Sequence, residues 1–425
     1  MDRRQGSRLT LQISRSISEI EELREIWTAW QSHPTSDIDH FLSIVRLRPE
    51  IERPHVMVIY RDGRPDSILV GRLERKRICL GLTYLKLLQP EARVLCFTYE
   101  GFLGNQSAEN SAYATREIVR CLSSGEADVA RLEFVKTDSP LFEAAKSSPG
   151  ILCRDHFPSI QLHGSLRLPG RFEDFLTGLS RKERHNLRRY ETRLKADFAG
   201  EMRIECFRQK SQIEDLIRDT EAVARRTYQR GLGVGFHDSL ETRSWLSAAA
   251  ESGTLRGCIL YLGNLPCAFM IGNRYQQTLH GAFMGYDPQF TDYSLGSLLL
   301  MHWIREACDQ DREQEVSEID LGLGDARYKR TIYNHTWQEG LVCIFAPTFK
   351  GLRLNFQRTV TQLIDEFAKK LLQTAGILEK VKKVWRSRAL ADLTACPSRQ
   401  PAREGSRRSL PINAREYPVG QIPVR

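Results

Sequence analysis

The chain has 425 residues, of which 41% are hydrophobic and 9% aromatic, and its formal net charge is +9. This composition is ordinary for a folded protein of two domains, or of two domains and a tail, and the moderate positive charge suits an anionic ligand without choosing among coenzymes, nucleic acids and membrane surfaces. Its ten cysteines form no CxxC pair, which argues against a zinc ribbon, a thioredoxin-type site and a disulfide framework. We therefore expect reduced thiols, a cytoplasmic location and no bound metal.

The N-terminal half alternates strand and helix patterns. Its first residues lack the apolar core of a signal peptide, and no apolar run of the chain approaches the roughly 20 residues of a membrane-spanning helix. We predict, in order, a helix at 18–31, a hairpin at 54–75, a strand at 93–104, a helix at 111–124, a strand at 129–136, a short helix after Ser139 and a strand at 158–164.

Residues 169–200 have the spacing of one or two amphipathic helices. Seven Lys or Arg residues and two Glu residues lie between Arg181 and Lys195, mostly on the polar side. Two interpretations stay open: a solvated basic face, or a wall for an anionic ligand. On the second interpretation, Arg184 and Arg188 bind substrate.

A further helix is predicted at 211–230, and it includes Tyr228, a candidate substrate-binding residue. The glycine-rich segment after it follows a helix rather than a strand and has the wrong glycine spacing for a dinucleotide loop, so we interpret it as a loop bordering a cleft. Three strands joined by tight turns come next, at 255–262, 265–275 and 278–286.

The most informative stretch runs from Thr278 to Asp320 and predicts strand, irregular loop, helix and strand. The loop ends at the first turn of the helix, where unpaired backbone N–H groups and the positive end of the helix dipole suit a phosphate. Gly296 removes a Cβ where a phosphate would approach the backbone. A strand at 315–323, a short helix capped by Asp325 and a last strand follow.

The two halves share their order of elements without a matching residue pattern, which indicates an architectural repeat. Residues 349–390 are predicted to be helical, with an apolar stripe that packs on the body or a partner, or lies as a basic helix on a membrane surface. From about residue 397 the chain is rich in Arg, Ser and Pro, which predicts a disordered basic tail.

Three segments in order carry a resemblance to a known family: FLTGLSRKERHNLRRYETRL (175–194), YDPQFTDYSLGSLLLMHWI (286–304) and EIDLGLGDARYKRTIY (318–333). They resemble the "L-S-x-K-x-R-x-N-L-R-R", "Y-x-P-x-x-x-x-Y-S-x-G-x-L-L" and "D-F-x-x-G-x-x-x-Y-K" segments of the CelD-like branch of the GNAT acetyltransferases, a branch tied by name to cellulose biosynthesis and related to the Fem-type transferases.

The resemblance implies an α/β fold of tandem GNAT-like (acyl-CoA N-acyltransferase) domains, with a mixed, mostly antiparallel sheet flanked by helices. We expect a degenerate N-terminal GNAT-like domain at 1–165, a GNAT acetyltransferase domain at 166–350, an amphipathic C-terminal helix at 351–390 and the basic tail at 391–425.

The same resemblance implies acetyl-CoA or another acyl-CoA as co-substrate and an amine on a small molecule, saccharide or peptide as acceptor. The cofactor-binding residues would be Met284, Tyr286, Tyr293, Ser294, Leu295, Gly296, Ser297 and Leu298. The wider superfamily has Q/R-x-x-G-x-G/A at the phosphate loop, whereas here Tyr293 and Leu298 take the first and last positions.

For catalysis we predict direct transfer in a ternary complex, since no spacing indicates a covalent nucleophile. Asp320 or Asp325 would accept the amine proton and Tyr328 would protonate the thiolate, while Lys329 would bind substrate or phosphate. Two alternatives remain: a Fem-type transferase that uses aminoacyl-tRNA, favoured by the basic helix, and a non-catalytic GNAT-like scaffold in polysaccharide or envelope assembly.

Overall fold

The computed structural model describes residues 8–78, 90–231, 235–309, 316–324 and 327–374, and these form two compact units. The first unit takes the described residues up to Gln161 together with those from Gln338 onward, and the second takes those from Leu162 to Trp337. The four-part division predicted from the sequence stays a prediction. The basic tail and the distal part of the C-terminal helix lie outside the described residues.

The strands of the described residues are β1 (Leu9–Ser14), β2 (Ile51–Pro54), β3 (Val56–Arg61), β4 (Arg64–Arg77), β5 (Glu91–Gly104), β6 (Val129–Lys136), β7 (Ser159–Arg167), β8 (Met202–Phe207), β9 (Leu255–Leu262), β10 (Leu265–Tyr275), β11 (Thr278–Tyr286), β12 (Glu318–Leu323) and β13 (His335–Phe345).

The helices are α1 (Ile17–Glu21), α2 (Arg24–Trp30), α3 (Ile38–Leu47), α4 (Ala108–Ser123), α5 (Pro140–Ser147), α6 (Phe172–Gly178), α7 (Arg181–Asp197), α8 (Ile213–Ala224), α9 (Tyr228–Gly231), α10 (Leu240–Glu251), α11 (Leu295–Asp309), α12 (Arg327–Arg330) and α13 (Phe349–Thr374). Short 3₁₀ turns lie at Pro34–Ser36, Lys210–Gln212 and Pro288–Tyr293.

In the first unit the strand order is β1-β3-β4-β5-β6-β13, with β2 beside β4. All these neighbours pair antiparallel except β5 and β6, which are parallel and connected through α4. One apolar cluster packs α4 and α5 on the sheet, and a second packs α1, α2 and α3. An open cleft of about 560 Å³ lies beside β5 and β6 and is lined by residues that include Phe97 and Lys136.

In the second unit the order is β7-β12-β11-β10-β9-β8, and the parallel pair is β11 and β12, connected through α11. Every residue of β9 is buried, because one face of the sheet packs against α11 and the other against α8 and α10. The predicted fold class, a mixed and mostly antiparallel sheet flanked by helices in two successive units, is confirmed.

The two helices that connect parallel strands, α4 and α11, differ in the residues of their first turns. In α4 the Ser107 hydroxyl accepts the Asn110 N–H at 3.3 Å, and Glu109 lies in the first turn. In α11 the first turn contains no acidic residue. The first turn of α11 therefore has no acidic side chain that would repel an anion, and the predicted phosphate site there stays a prediction.

The C-terminal helix α13 is attached to the first unit near its start. Leu354 is fully buried, and Arg358 forms an ion pair of 3.0 Å with the buried Asp155. Phe356 and Phe367 expose 69% and 66% of their surface. None of the described helices combines the length and apolar character that a bilayer crossing requires.

A β-bulge brings β10 and β11 unusually close together. Their register shifts between Ile271 and Gly272, which leaves Ala282 as the additional residue of β11. A Cβ on Gly272 would lie 2.1 Å from the His280 carbonyl oxygen and 2.7 Å from Trp303. Only a glycine fits this position without moving backbone.

We expect Gly272→Ala to lower the free energy of unfolding of the second unit by about 1–3 kcal/mol or more, because the added methyl group overlaps a carbonyl oxygen that cannot rotate away. The matched control is Gly281→Ala, on the adjacent strand, where a Cβ would have its nearest neighbour, the Asp320 carbonyl oxygen, at 3.7 Å. Urea denaturation of both variants tests this, and equal stabilities would contradict the assigned packing.

Candidate active site

The strands β11 and β12 run together only at their first residues. The pairing joins Thr278 to Glu318, Leu279 to Ile319 and His280 to Asp320, whereas β11 continues along β10 as far as Tyr286. Within the described pairings, the second half of β11 therefore has a sheet neighbour on one side. Its backbone N–H and C=O groups on the other side form an open edge to which an extended ligand with amide groups can bond.

The loop after β11 is fixed at its start by Asp287, which is 1% exposed. One carboxylate oxygen accepts the Gln289 N–H at 3.0 Å, the other accepts a hydrogen bond from Arg226 at 2.6 Å, and the Asp287 N–H donates to the Cys267 carbonyl at 2.8 Å. The path from the open edge to α11 is thus held by an ion pair between the buried Asp287 carboxylate and the exposed Arg226.

The loop ends at Ser294, which has the left-handed backbone conformation (φ +50°, ψ +44°). Its carbonyl accepts the N–H groups of Ser297 at 2.9 Å and Leu298 at 3.2 Å, and the helix α11 begins directly after it. The first N–H groups of a helix have no partner within the helix, so they are directed outward at the end of the open edge.

The helix α7 lies beside this loop. The Tyr293 hydroxyl donates to Asp197 at 2.8 Å, and the Arg193 guanidinium lies 4.9 Å from the centre of the Tyr293 ring. A Cβ on Gly296 would meet Tyr286 at 3.6 Å, an ordinary contact. Packing within the protein therefore does not require a glycine at position 296.

The structure places the predicted cofactor-binding residues on two connected elements. Met284 and Tyr286 lie on the open half of β11, and Tyr293 to Leu298 form the loop end and the first turn of α11. The Leu295 side chain is fully buried in the core, so this residue presents only its backbone to a ligand. The binding role of the set stays a prediction.

Asp320 lies where β11 and β12 part, between two buried histidines. One carboxylate oxygen accepts a hydrogen bond from His163 Nε2 at 2.7 Å and another from the Gly322 N–H at 2.6 Å, and the second oxygen accepts from His280 Nδ1 at 3.1 Å. Burial alone would raise the pKa of Asp320, but the two imidazoles outweigh it and hold that pKa well below its ordinary value. Asp320 is thus a weak base that fixes the orientation of both rings.

Sequence reasoning missed His163 and His280. His163 is 1% exposed and stacks on Trp337 with ring centres 4.3 Å apart. Both histidines sit in apolar strand patterns, and the signal that identifies them is the strand register, His280 beside Asp320 and His163 beside Leu323, which the sequence does not supply.

Lys329 and Arg184 are bonded to backbone carbonyls. Lys329 is 2% exposed and donates to the Leu323 carbonyl at 2.8 Å. Arg184 donates to the carbonyls of Thr177 at 2.9 Å and Leu179 at 2.6 Å, at the end of α6. These bonds give both residues a structural role, and their predicted contact with substrate stays a prediction.

The remaining predicted residues are placed less completely. Arg188 is exposed on α7. Asp325 lies outside the described residues, as do the side chains of Tyr228 and Tyr328, whose backbones belong to α9 and α12.

Comparison with known proteins agrees with this geometry. Residues 181–330 match the family model described as an acetyltransferase (GNAT) domain. The matched segment begins at α7, includes the open edge and the loop, and ends at α12. This segment is a GNAT acetyltransferase domain. The predicted enzyme class, a GNAT-type acyltransferase, is confirmed by the match.

Comparison with solved structures gives matches at low sequence identity. The structure of FemX is 10% identical and superimposes with a TM-score of 0.50 over 81% of this chain and 98% of FemX. A tandem GNAT protein from the clavulanic acid biosynthesis pathway, 10% identical, gives 0.44 over 80% of this chain and 99% of the other. A Bacteroides thetaiotaomicron protein of unknown function, 13% identical, gives 0.45 over 76% and 97%. Scores below 0.5 support no further conclusion, and no curated protein matches the chain in sequence.

The buried Lys329 predicts a pH dependence of stability. Burial lowers its pKa from 10.5 to about 8, opposed by the Asp320 carboxylate. Between these two values the unfolded chain holds a proton that the folded chain has released, so stability increases with pH across the window. We therefore expect the free energy of unfolding of the wild type, relative to that of Lys329→Met, to increase by at most about 3 kcal/mol from the lower to the upper end of this pH window.

Urea denaturation of both proteins at the two ends of this pH window measures the free energies of unfolding. The control is Lys182→Met, at an exposed lysine, which should leave the pH dependence of stability unchanged. A wild-type advantage that does not vary with pH would show that Lys329 is not buried in this way.

Proposed function

We propose that the second unit transfers an acyl group from acyl-CoA to an amine by direct transfer in a ternary complex. The observation that supports this most is the parting of β11 and β12 after His280 and Asp320, with the first turn of α11 at the far end of the open edge. One continuous path thus offers backbone partners for a pantetheine arm and helix N–H groups for a pyrophosphate.

The two parts of the path match the two parts of the coenzyme. Pantetheine contains two amides, which can bond to the backbone of Phe283–Tyr286 as an added strand would. The pyrophosphate is an anion that the first turn of α11 attracts through its outward N–H groups and dipole. A side chain at position 296 would occupy that space, and Gly296 has none.

The acyl carbon would then lie near the point where the strands part, next to the histidines on Asp320. In a neutral imidazole one nitrogen donates and the other accepts, and the bond from His280 Nδ1 to Asp320 makes Nε2 the accepting nitrogen. We propose that His280 takes the proton of the attacking amine, directly or through water, while Asp320 stabilises the imidazolium. Backbone N–H groups of β11 polarise the carbonyl, and the Tyr328 hydroxyl donates a proton to the leaving thiolate.

We also propose that the chain belongs to the CelD-like branch and acts on a saccharide, peptide or small amine in polysaccharide or envelope synthesis. The three segments that resemble this branch overlap the matched residues 181–330. The scattered cysteines, which are free thiols where described, favour a reducing, cytoplasmic compartment.

A second candidate is a Fem-type transfer from aminoacyl-tRNA. The exposed basic residues of α7 favour it, among them Arg181, Lys182, Arg188 and Arg189, since nucleic-acid phosphates would bind such a face. Binding of aminoacyl-tRNA would weaken steeply with salt. Acyl-CoA held by backbone groups would depend on salt far less.

We expect calorimetry to show that the wild type binds acetyl-CoA and that Gly296→Glu lowers the affinity at least about tenfold, because the carboxylate repels the pyrophosphate at the site it would occupy. The fold should persist, since a Cβ at this position makes only an ordinary contact with Tyr286. The control is Gly150→Glu, in the first unit, where nothing lies within 4 Å of the added Cβ.

Equal binding by all three proteins would place the coenzyme elsewhere. No binding by the wild type, with longer acyl-CoAs also inactive, would remove the proposal in favour of aminoacyl-tRNA. Binding without turnover on any amine would favour the scaffold alternative.

We expect Asp320→Asn to lower kcat by about 10²–10⁴ while the affinity for acetyl-CoA changes little, because the amide carries no charge to stabilise the protonated imidazole. Release of CoA thiol with the best amine from a panel measures this, and the exposed Asp174→Asn is the control. An unchanged kcat would exclude the Asp320–histidine cluster from proton transfer.

A further inference from the structure

Four potential metal ligands converge in the second unit, away from the open edge of β11. Cys206 lies on β8, Cys258 on β9, and His302 and Glu306 one turn apart on α11. Their donor atoms all lie within 4.8 Å of one another. Cys258 and Glu306 are buried, and Cys206 and His302 are half-buried.

The distances between these atoms are close to those of a tetrahedral zinc site. Cys206 Sγ lies 3.2 Å from Cys258 Sγ, 3.5 Å from His302 Nε2 and 3.4 Å from Glu306 Oε1. Glu306 Oε2 lies 3.7 Å from Cys258 Sγ, and Glu306 Oε1 lies 3.8 Å from His302 Nε2. Zinc bonds of about 2.3 Å to sulfur and 2.0–2.2 Å to nitrogen or oxygen give tetrahedral edges of about 3.4–3.8 Å.

The four ligands are held by regular secondary structure. Cys206 and Cys258 are directly opposite each other in the antiparallel pairing of β8 and β9, so their side chains point to the same face of the sheet. His302 and Glu306 are four residues apart on α11, which places them on one face of that helix. Little movement is needed to surround an ion.

The charges around the cluster also fit a divalent cation. Two thiolates, one carboxylate and a neutral imidazole around Zn²⁺ would leave one net negative charge. Arg208 lies 3.5 Å from Glu306 Oε1 and would neutralise it. The Glu306 carboxylate also lies within hydrogen-bond distance of both thiols, in a largely buried site.

We propose that Cys206, Cys258, His302 and Glu306 bind a structural Zn²⁺ ion that fastens α11 to the β8–β9 hairpin. Four protein ligands complete the tetrahedron and leave no open position for a substrate. The ion would fix the same helix whose first turn lies at the end of the open edge.

The alternative to a metal ion at this site is a disulfide between Cys206 and Cys258. Oxidation of Cys206 and Cys258 to a disulfide would release two protons and two electrons to an oxidant and would not use His302 or Glu306. The convergence of all four side chains favours the metal, and the experiment distinguishes the two.

The test is the zinc content of the full-length chain purified under reducing conditions without chelators, followed by replacement with Co²⁺. We expect about one zinc per chain, and a cobalt form with the thiolate charge-transfer bands and intense visible absorption of a tetrahedral site. Cys206→Ser, Cys258→Ser and His302→Ala should each lose most of the metal and both spectral features.

Cys308→Ser is the matched control, since Cys308 is a buried cysteine on the same helix outside the cluster, and this variant should keep the metal. A zinc-free wild type that also fails to take up Co²⁺ would overturn the proposal. So would a Cys206–Cys258 disulfide in the purified chain, or metal retained in all three cluster variants.

Discussion

The early end of the pairing between β11 and β12 is the constraint on which the rest of the second unit depends. A parallel pair normally continues for the length of its strands, and here it stops at His280 and Asp320. Two features hold the strands apart. The bulge at Ala282 alters the path of β11, and the Asp320 carboxylate binds the Gly322 N–H, which turns β12 away. The resulting open edge is the feature that a coenzyme with an extended amide arm requires.

The helix α11 contributes to both proposed sites, the coenzyme site at the open edge of β11 and the zinc site. Its first turn follows the loop fixed by Asp287 and Arg226, and its middle packs Trp303 into the core against Gly272. His302 and Glu306, on either side of Trp303 in the sequence, lie beside the β8–β9 cysteines. A helix held at several points along its length presents its N–H groups in one orientation, which favours recognition of a pyrophosphate without a large ordering cost.

The sequence predicts the order of elements around this helix well, because local signals carry it. The apolar strand at 278–286, the Pro- and Asp-containing loop and the helical spacing after Ser294 all correspond to observed elements. The sequence does not predict which side chains cluster, because the clusters depend on strand register. Asp320 was identified as a candidate, but its partner His163 lies 157 residues away along the chain.

Two further cases show the same limit. The density of positive charge at 181–195 is compatible with a solvated face and with a ligand surface, and it does not predict that Arg184 bonds the carbonyls at the end of α6. The absence of a CxxC pair reports only on ligands that are neighbours in sequence, so the expectation of no metal stays a prediction. Cys206 and Cys258 are neighbours across two strands instead.

We propose that acyl-CoA binds along the open edge of β11 with its pyrophosphate at the start of α11. Hydrogen exchange measured by mass spectrometry, with and without saturating acetyl-CoA, tests it most directly because it reports on the backbone N–H groups themselves. We expect slower exchange in peptides that cover 281–286 and 295–298, with the rest of the chain nearly unchanged. Protection confined to the cleft beside β5 and β6 in the first unit, or absent from both segments, would contradict it.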